Sequence, residues 1–368
     1  MMTRRQVIYS TGAFAGGVLA LPACTSDGGS QNYDQAVQST WRHSAHFISE
    51  RPLLQQELVR YATLASSSHN TQCWRFSIAE NSISIAPDFS RRLPEVDPDD
   101  HHLFVSLGCA AENLIQAALA NGLMGEAASE VSSANGLKIS LQPTKKLATP
   151  LFEAITRRQC TRTEFDGKPL SSHELKLLEQ AGTGPGIKLR LLTEKNAKEQ
   201  ILEYVVQGNT AQMNDSAFVA ELKTWIRFDD AEAVRTGDGL FTRASGNPSV
   251  PRWLASPLFP AFFRAGSEND KYARHVRSSS GIAVFVSAAN DKPHWIETGR
   301  CYERFALQAA ALGIRNAFLN QPVEVSTLRP QFASFLGIGQ QRPDLVVRFG
   351  RGPEMPRSLR RPLASVLT

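Results

Sequence analysis

The sequence predicts an α+β fold of two pseudo-symmetric halves rather than a regular alternation of strands and helices. Its 368 residues and 42% hydrophobic content are enough for a large core. Stretches with helical periodicity alternate irregularly with short strand-like runs. Helices are expected at 52–64, 107–122, 171–180, 197–213, 217–226 and 298–313. Strands are expected at 74–78, 82–86, 137–141, 189–192, 282–287, 317–320 and 345–349.

The evidence for two halves is a repeated alanine-rich helix. Gly108 and Glu112 recur as Gly299 and Glu303 at one offset of 191 residues (299−108 and 303−112). Each helix closes on a glycine, which is common at helix C-termini. Chance likeness between alanine-rich helices is the alternative, but similar strand runs follow both helices. We therefore predict a first half at 31–145 and a second half at 146–368.

A long segment interrupts the second half at 229–280. It is rich in glycine, serine, proline and aromatic residues, and we predict irregular structure there. So many aromatic residues argue against disorder. The segment is expected to be a lid over the boundary between the halves, or a packing flap without a gating role.

The first thirty residues predict an export signal and tether at 1–30. Arg4 and Arg5 precede a short apolar stretch that ends in a small residue before Cys24. The paired arginines resemble a twin-arginine signal, and the segment before Cys24 resembles a lipobox. An ordinary secretory signal or a buried first helix is the alternative. We expect an exported protein of the periplasm or cell envelope, anchored to the membrane by lipid on Cys24.

Charge and cysteine content exclude several function classes. The net charge of +5 comes without basic blocks interleaved with aromatic residues, so we expect no nucleic-acid partner. The five cysteines form no CxxC pair and fit no zinc spacing. His101 and His102 follow two aspartates, but no further ligand in the sequence supports a metal there. We find no set of catalytic acid and base residues, and a structural role for His69 is favoured over proton donation.

Two polar motifs are candidates for ligand binding. The first runs from 65 to 76 and offers the short donors and acceptors Ser67, Ser68, Asn70 and Gln72. The second, at 157–162, contains three arginines and a threonine, and planar guanidinium groups bind phosphate in a charge-assisted way. Taken alone, the first motif also fits a polar turn and the second a solvated basic stretch.

Together these motifs resemble nitroreductase-family FMN oxidoreductases. Residues 65–76 are similar to the family's serine segment, with Cys73 in place of the usual proline. Residues 157–162 resemble its phosphate-binding segment, and 168–178, 295–299 and 329–353 resemble its later helices and C-terminal strand. The likeness runs from about Ser39 to Val366. With residues 91–98, it is greatest to the Acg-type subgroup, in which one chain folds as two nitroreductase-like halves.

The resemblance implies an FMN site between the halves. It assigns cofactor binding to Arg157, Arg158, Thr161, Arg162, Ser67, Ser68, Asn70, Gln72 and Arg351. Asn70 and Gln72 are expected at the flavin ring, and Arg351 is expected to complete the phosphate clamp. The first-half counterpart of the arginine motif (40–45) and the second-half counterpart of the serine motif (182–186) lack these side chains. We therefore predict one FMN per chain.

The implied activity is hydride transfer through the flavin to a nitroaromatic, quinone or similar acceptor, with NAD(P)H as a candidate electron donor. Nicotinamides are cytoplasmic, so an exported enzyme would need another donor. A flavin-binding or flavin-sequestering protein with little turnover is the alternative, and a ligand-binding lipoprotein without flavin is a third. The expected partners are small molecules, and the expected state is a monomer with an internal pseudo-dimer.

Overall fold

The computed structural model describes residues 27–45, 48–129 and 136–368. Its ten strands in these residues are β1 (Trp74–Ala79), β2 (Ser82–Pro87), β3 (Leu123–Ser129), β4 (Leu137–Pro143), β5 (Ile187–Leu192), β6 (Ile226–Arg227), β7 (Leu240–Phe241), β8 (Gly281–Ser287), β9 (Arg315–Phe318) and β10 (Arg342–Gly350). Its longer helices are α1 (Asp27–Thr40), α2 (Arg51–Thr63), α3 (His101–Ala120), α5 (Ser172–Ala181), α6 (Lys195–Asn214), α7 (Ser216–Trp225), α9 (Arg252–Phe262), α10 (Ala265–Arg277) and α11 (Lys292–Ala311). Shorter helices are α4 (Pro150–Ala154), α8 (Asp230–Thr236), α12 (Gln321–Glu324) and α13 (Arg329–Phe335).

Two four-stranded antiparallel sheets share one topology. The first has the order β1-β2-β4-β3 and the second has the order β5-β8-β10-β9. In chain order both sheets place their first, second, fourth and third strands side by side. Each has its long helix, α3 or α11, between its second and third strands. This common topology confirms the predicted α+β fold of two pseudo-symmetric halves.

The two long helices pack closely because a glycine from each meets the backbone of the other. A Cβ atom on Gly108 would lie 1.9 Å from the carbonyl oxygen of Ile296, and one on Gly299 would lie 1.9 Å from that of Val105. Any larger side chain at either position would separate the helices. The two glycines are separated by the repeat offset of 191 residues, and so are Val105 and Ile296, so each helix makes the same contact with the other.

A single core joins the halves. The cluster of buried side chains includes Trp74 and Ile85 from the first sheet, Phe285 and Val347 from the second, and Tyr302 from α11. By length and composition, α3 is the one helix in the described part of the chain that could cross a membrane, but 83% of its apolar window is buried in the protein. Its apolar character is therefore accounted for by this core.

Segments at both chain ends cross between the halves. α1 packs on α8, and its Tyr33 contacts the ring of Phe241 in β7, with the centroids 5.0 Å apart and the rings tilted, and donates a hydrogen bond to the carbonyl of Arg357. The C-terminal residues pair with β1, because the backbone N–H groups of Phe76 and Thr368 bond the carbonyls of Val366 and Phe76. The two repeats are therefore interlocked, and the boundary at 145/146 stays a prediction.

The insertion differs from the prediction in extent and in structure. The first sheet joins its first two strands by a turn, whereas β5 and β8 are separated by everything from 193 to 280, including α6 and α7. Much of the segment predicted as irregular is helical: α8, α9 and α10 lie in it, and α9 contains Pro257 and Pro260. The predicted tether is also helical from Asp27, where α1 begins. The predicted signal and Cys24 lie outside the described residues.

Candidate functional site

A cavity of about 340 Å³ opens where the two halves and the insertion meet. This volume is within the usual range for small-molecule sites. Its wall combines the serine segment of the first half, the arginine segment of the second half, the C-terminal segment and helices of the insertion. Five of the nine predicted site residues line it, namely Ser67, Ser68, Asn70, Arg158 and Arg162. The other four, Gln72, Arg157, Thr161 and Arg351, do not line it.

The serine segment is a tight turn with an unusual backbone. His69, Asn70 and Gln72 have φ angles of 49°, 53° and 52°, in the left-handed region that non-glycine residues seldom adopt. The turn is held by Ser67 Oγ, which accepts from the backbone N–H of Gln72 at 3.1 Å, and by Ser106 Oγ, which accepts from that of Ser68 at 3.2 Å. These bonds fix the segment at the cavity wall, where strained backbone is often found at functional sites.

The amides of Asn70 and Gln72 are engaged within the protein. Asn70 Nδ2 donates to the carbonyls of Gly239 and Leu359, and its Oδ1 accepts from Arg360 at 3.0 Å. Gln72 Nε2 donates to Gly237 at 2.8 Å, and its Oε1 accepts from the backbone N–H of Arg361 at 2.9 Å. These bonds tie the insertion and the C-terminal segment to the serine turn. Asn70 lines the cavity and Gln72 does not, and the flavin-ring contacts expected for these two side chains stay a prediction.

The arginine segment divides between structure and cavity. Arg158 is buried; its Nη2 donates to the carbonyl of Leu64 at 2.7 Å and its Nε lies 3.0 Å from Glu303 Oε1. Arg162 lines the cavity and has no hydrogen bond or ion pair with any described residue. Arg157 is exposed and bonds the carbonyl of Glu153 at 3.4 Å. Thr161 is fully buried beside Asn316. Arg162 is thus the cation available to a ligand.

The expected contribution of Arg351 to a phosphate clamp is contradicted by its position. Its Nη2 lies 2.6 Å from Glu174 Oε1 on α5, and this ion pair holds the pKa of Glu174 at about 2. The C-terminal segment supplies other arginines to the cavity, Arg357 and Arg360, which prediction from the motifs missed. Their close spacing in the sequence, Arg357-Ser358-Leu359-Arg360-Arg361, was the available signal.

Arg357 and Arg360 stack on the ring of Trp41, with guanidinium carbons 5.0 and 4.7 Å from its centroid. Arg360 also bonds the carbonyls of Thr63, Leu64 and Ala65. Burial lowers its pKa to about 9, so it still carries its charge at neutral pH. The stack closes one end of the cavity with cations held by a rigid aromatic plane.

The cavity is electropositive and suits an anionic ligand. Its cations are Arg158, Arg162, Lys271, Arg348, Arg357 and Arg360, against the two acids Glu268 and Glu324. Ser66 Oγ is buried at its edge and makes no hydrogen bond of normal geometry. An unpaired guanidinium and a surplus of positive charge fit a phosphate-bearing ligand such as FMN.

Two titratable side chains at the cavity, His69 of the serine turn and Cys109 of α3, are uncharged at neutral pH. Burial and the nearby charge of Arg162 lower the pKa of His69 to about 4, so its imidazole is neutral at neutral pH. Burial raises the pKa of the cavity thiol Cys109 well above its ordinary value, so this thiol stays protonated. The structural role expected for His69 agrees with its place in the turn, and Cys109 is not an activated nucleophile.

The sequence was compared with protein-family models and with curated proteins. No protein-family model matches the chain. The chain is 23% identical over 319 residues to proteins from two strains of Mycobacterium tuberculosis that are provisionally named NAD(P)H nitroreductases, covering 83% of this chain and 88% of each relative. It is similar to nitroreductases over most of its length.

Two solved structures are also similar. An FMN-dependent nitroreductase from Mycobacterium smegmatis in complex with NADPH covers 60% of this chain and 97% of its own, at 12% identity and a TM-score of 0.40. A nitroreductase with bound FMN from Desulfitobacterium hafniense covers 57% of this chain and 94% of its own, at 12% identity and a TM-score of 0.36.

Proposed function

We propose that this chain is a flavoprotein of the nitroreductase type that binds one FMN in the cavity between its halves. The observation that carries the proposal is the meeting of the serine and arginine segments at one electropositive cavity, in which Arg162 has no hydrogen-bond or ion-pair partner among the residues that the structure describes. Asn70 and Arg158 come from different halves, yet both line this cavity. The sequence likeness to nitroreductases over 83% of the chain adds support.

In this proposal Arg162 binds the phosphate directly, while Arg158, Arg357 and Arg360 supply positive charge from fixed positions. Ser66, Ser67 and Ser68 offer hydroxyl groups to the polar parts of the ligand. Bound FMN supplies hydride chemistry between an electron donor and an acceptor. The protein residues orient the ligand and exclude water. The neutral His69 and Cys109 bring no charge to the cavity.

The decisive experiment compares two arginines of one motif. Arg162→Ala is expected to weaken FMN binding by about ten- to a hundredfold, which corresponds to the loss of a charge-assisted hydrogen bond. Arg157→Ala is the matched control, because that side chain is exposed and lies off the cavity. Its affinity should stay within about twofold of the parent. Fluorescence titration of flavin-free protein measures both.

Two results would count against this proposal. A purified chain that is colourless and takes up no FMN on reconstitution is not a flavoprotein. Equal affinities for the two arginine variants would remove the phosphate assignment but leave flavin binding intact. Arg158→Ala is a poorer test, since that substitution also leaves the buried carboxyl of Glu303 without its cation.

We propose an oxidoreductase that passes hydride to a nitroaromatic, quinone or similar acceptor. Flavin sequestration with little turnover is the second candidate, and it is favoured by the wall that the insertion builds with Leu240, Thr242, Phe263 and Tyr272. Anaerobic reduction by NADPH or dithionite, followed by addition of a quinone or nitroaromatic, separates them. Rapid reoxidation with product formation supports the enzyme; a flavin that stays reduced supports sequestration.

We also propose export by the twin-arginine-like signal and anchoring to the cell-envelope membrane through lipid on Cys24. The order of charge, apolar residues and cysteine in the first 24 residues supports this. Cell fractionation tests it: Cys24→Ala should move the protein from the membrane fraction to the soluble periplasmic fraction. Recovery of the unaltered chain in the cytoplasm would contradict export.

A further inference from the structure

A second cluster of chemically active side chains lies at the start of α3. Asp97, His101 and His102 each offer a ligand atom, and these atoms lie within 4.8 Å of one another. All three residues are buried. The backbone N–H groups of His102 and Leu103 bond the two carboxylate oxygens of Asp97 at 2.9 Å, which holds the carboxylate beside the imidazoles. No third ligand for the histidine pair was apparent in the sequence, because Asp97 lies four residues before His101 and outside the helix.

His101 is oriented by a buried carboxylate on its far side. Its Nε2 lies 2.9 Å from Asp344 Oδ1, and Asp344 is itself held by Thr298 Oγ1 at 2.9 Å and Arg342 Nε at 3.1 Å. With the Nε2 proton directed to Asp344, Nδ1 keeps its lone pair for another partner. A histidine that binds a metal through one nitrogen commonly donates its other N–H to a carboxylate in this way.

His102 is buried without a protein hydrogen bond for its ring. The residue is 5% exposed, and its imidazole makes no hydrogen bond to any residue that the structure describes. Its closest ionic neighbour is Glu324, whose Oε1 lies 3.9 Å from His102 Nε2. A buried polar ring without a partner is unfavourable. Both His102 and Glu324 line the cavity, so a small ion has a route to them.

The local charges leave two carboxyl groups without a bonded cation. These are Asp97, which is buried, and Glu324, whose side chain is 15% exposed; neither forms an ion pair with an arginine or lysine among the described residues. The nearby guanidinium groups of Arg329 and Arg342 are directed to Asp99, and Arg342 also pairs with Asp344. A divalent cation between Asp97 and Glu324 would balance their negative charge.

We propose that Asp97, His101 and His102, with Glu324 on the cavity side, bind a divalent first-row transition-metal ion. Two imidazoles and carboxylate oxygens are suitable ligands for zinc or ferrous iron. Ligand atoms around tetrahedral zinc lie about 3.4 Å apart, given bonds of about 2.1 Å, whereas these atoms lie within 4.8 Å of one another, so the cluster must contract by up to about 1.4 Å. Rotation of His102, which has no hydrogen bond to break, provides this contraction. The proposal is independent of flavin binding.

Zinc binding to the full-length chain tests the site. Protein stripped with a chelator is titrated with Zn²⁺ by calorimetry, and bound zinc is counted by elemental analysis after dialysis. One ion per chain is expected, with a rise in the melting temperature. His102→Ala should weaken binding at least a hundredfold. Asp344→Asn should weaken it by about ten- to a hundredfold through the orientation of His101.

His294→Ala is the matched control, because His294 pairs with Asp291 at the protein surface, away from the cavity. It should bind zinc like the parent chain. Circular dichroism shows whether each variant is folded, and His102→Gln replaces His102→Ala if the latter is not. Absence of stoichiometric zinc, parental affinity in the folded His102 variant, or equal loss in His294→Ala would each overturn the proposal.

Discussion

The contact between α3 and α11 has an equivalent glutamate at each end, one beside the cavity and one in a cluster of ion pairs. Glu112 and Glu303 stand at the repeat offset, and both are buried. Glu303 lies beside the cavity, where Arg158 pairs with it at 3.0 Å. Glu112 lies in what we call the mate corner, where Arg304 pairs with it at 2.9 Å and Arg300 at 3.4 Å. One duplicated acid therefore borders a binding cavity and the other a closed ion cluster.

The difference comes from side-chain size on a symmetric backbone. Cys109 and Asn113 of α3 occupy the repeat positions that Arg300 and Arg304 occupy on α11. The guanidiniums of Arg300 and Arg304 both take up room in the mate corner. Arg300, the counterpart of Cys109, pairs with Glu112 and Glu297, and Arg304 reaches the carbonyl of Ala181 and the carboxylate of Glu297. The small thiol of Cys109 leaves room, and it lines the cavity. This asymmetry supports our proposal of one cofactor per chain.

The largest expected effect separates the two ion clusters. Arg158→Met should lower the free energy of unfolding by about 3–5 kcal/mol, since it leaves Glu303 buried without a cation. Arg304→Met should cost only about 1–2 kcal/mol, because Arg300 remains beside Glu112. Urea unfolding of the flavin-free variants at pH 7 measures both. Arg158→Met combined with Glu303→Gln should recover part of the loss, and equal losses at the two corners would contradict the comparison.

The glycine contact between the helices tests the symmetric part of the fold. Gly108→Ala and Gly299→Ala should each cost about 3 kcal/mol or more, because the new methyl group meets a carbonyl of the opposite helix that cannot move without separating the pair. The two losses should be similar, since the contact is reciprocal. Thermal unfolding of both variants provides the measurement.

Gly266→Ala is the control for this pair. Gly266 lies inside α10, and a Cβ there would meet nothing within 4 Å. This substitution should be neutral or stabilise the protein by up to about 1 kcal/mol. If one of the two central glycines tolerated alanine while the other did not, the helix pair would not have the symmetry that the repeat implies.

Local patterns predicted most of the regular structure and failed where tertiary packing decides. The helix repeat and six strand runs agree with the structure, since each has a clear periodicity, while the run predicted at 317–320 overlaps β9 (Arg315–Phe318) at two residues only. β3 was missed because Leu123–Ser129 contains alanine and glycine in place of branched residues, and its pairing with β4 supplies what its composition does not. α9 was missed because Pro257 and Pro260 argue against a helix, yet its inner face packs through Phe259 on the insertion.

The site shows the same limit. The motifs predicted Ser67, Ser68, Arg158 and Arg162 as binding residues because hydroxyl and guanidinium groups suit a phosphate ligand, and all four line the cavity. It could not show that the Gln72 amide would be satisfied by segments more than 150 positions away in the chain. Such pairing depends on the three-dimensional path of the insertion and the C-terminal segment, which no local pattern records.

The smallest expected effect is on the pH dependence of the free energy of unfolding, and it distinguishes the cavity from the mate corner. At the mate corner, the segment 182–186 that stands in for the serine segment has no ionisable side chain, whereas the serine segment at the cavity contains His69. The pKa of His69 falls from 6.5 to about 4 on folding, so the unfolded chain binds the proton more readily. Stability is therefore lost as the pH falls from about 6.5 towards 4. Partial exposure of the ring to the cavity limits this loss to about 1–2 kcal/mol at pH 5.

His69→Asn should reduce this acid sensitivity, because asparagine tolerates the left-handed backbone at this position and does not titrate. At pH 8, where the imidazole is neutral in both states, the variant should match the parent within about 0.5 kcal/mol. At pH 5 it should be the more stable of the two. Urea unfolding at both pH values measures the difference. An unchanged gap between pH 8 and pH 5 would place the acid sensitivity elsewhere and remove His69 from the contrast between the corners.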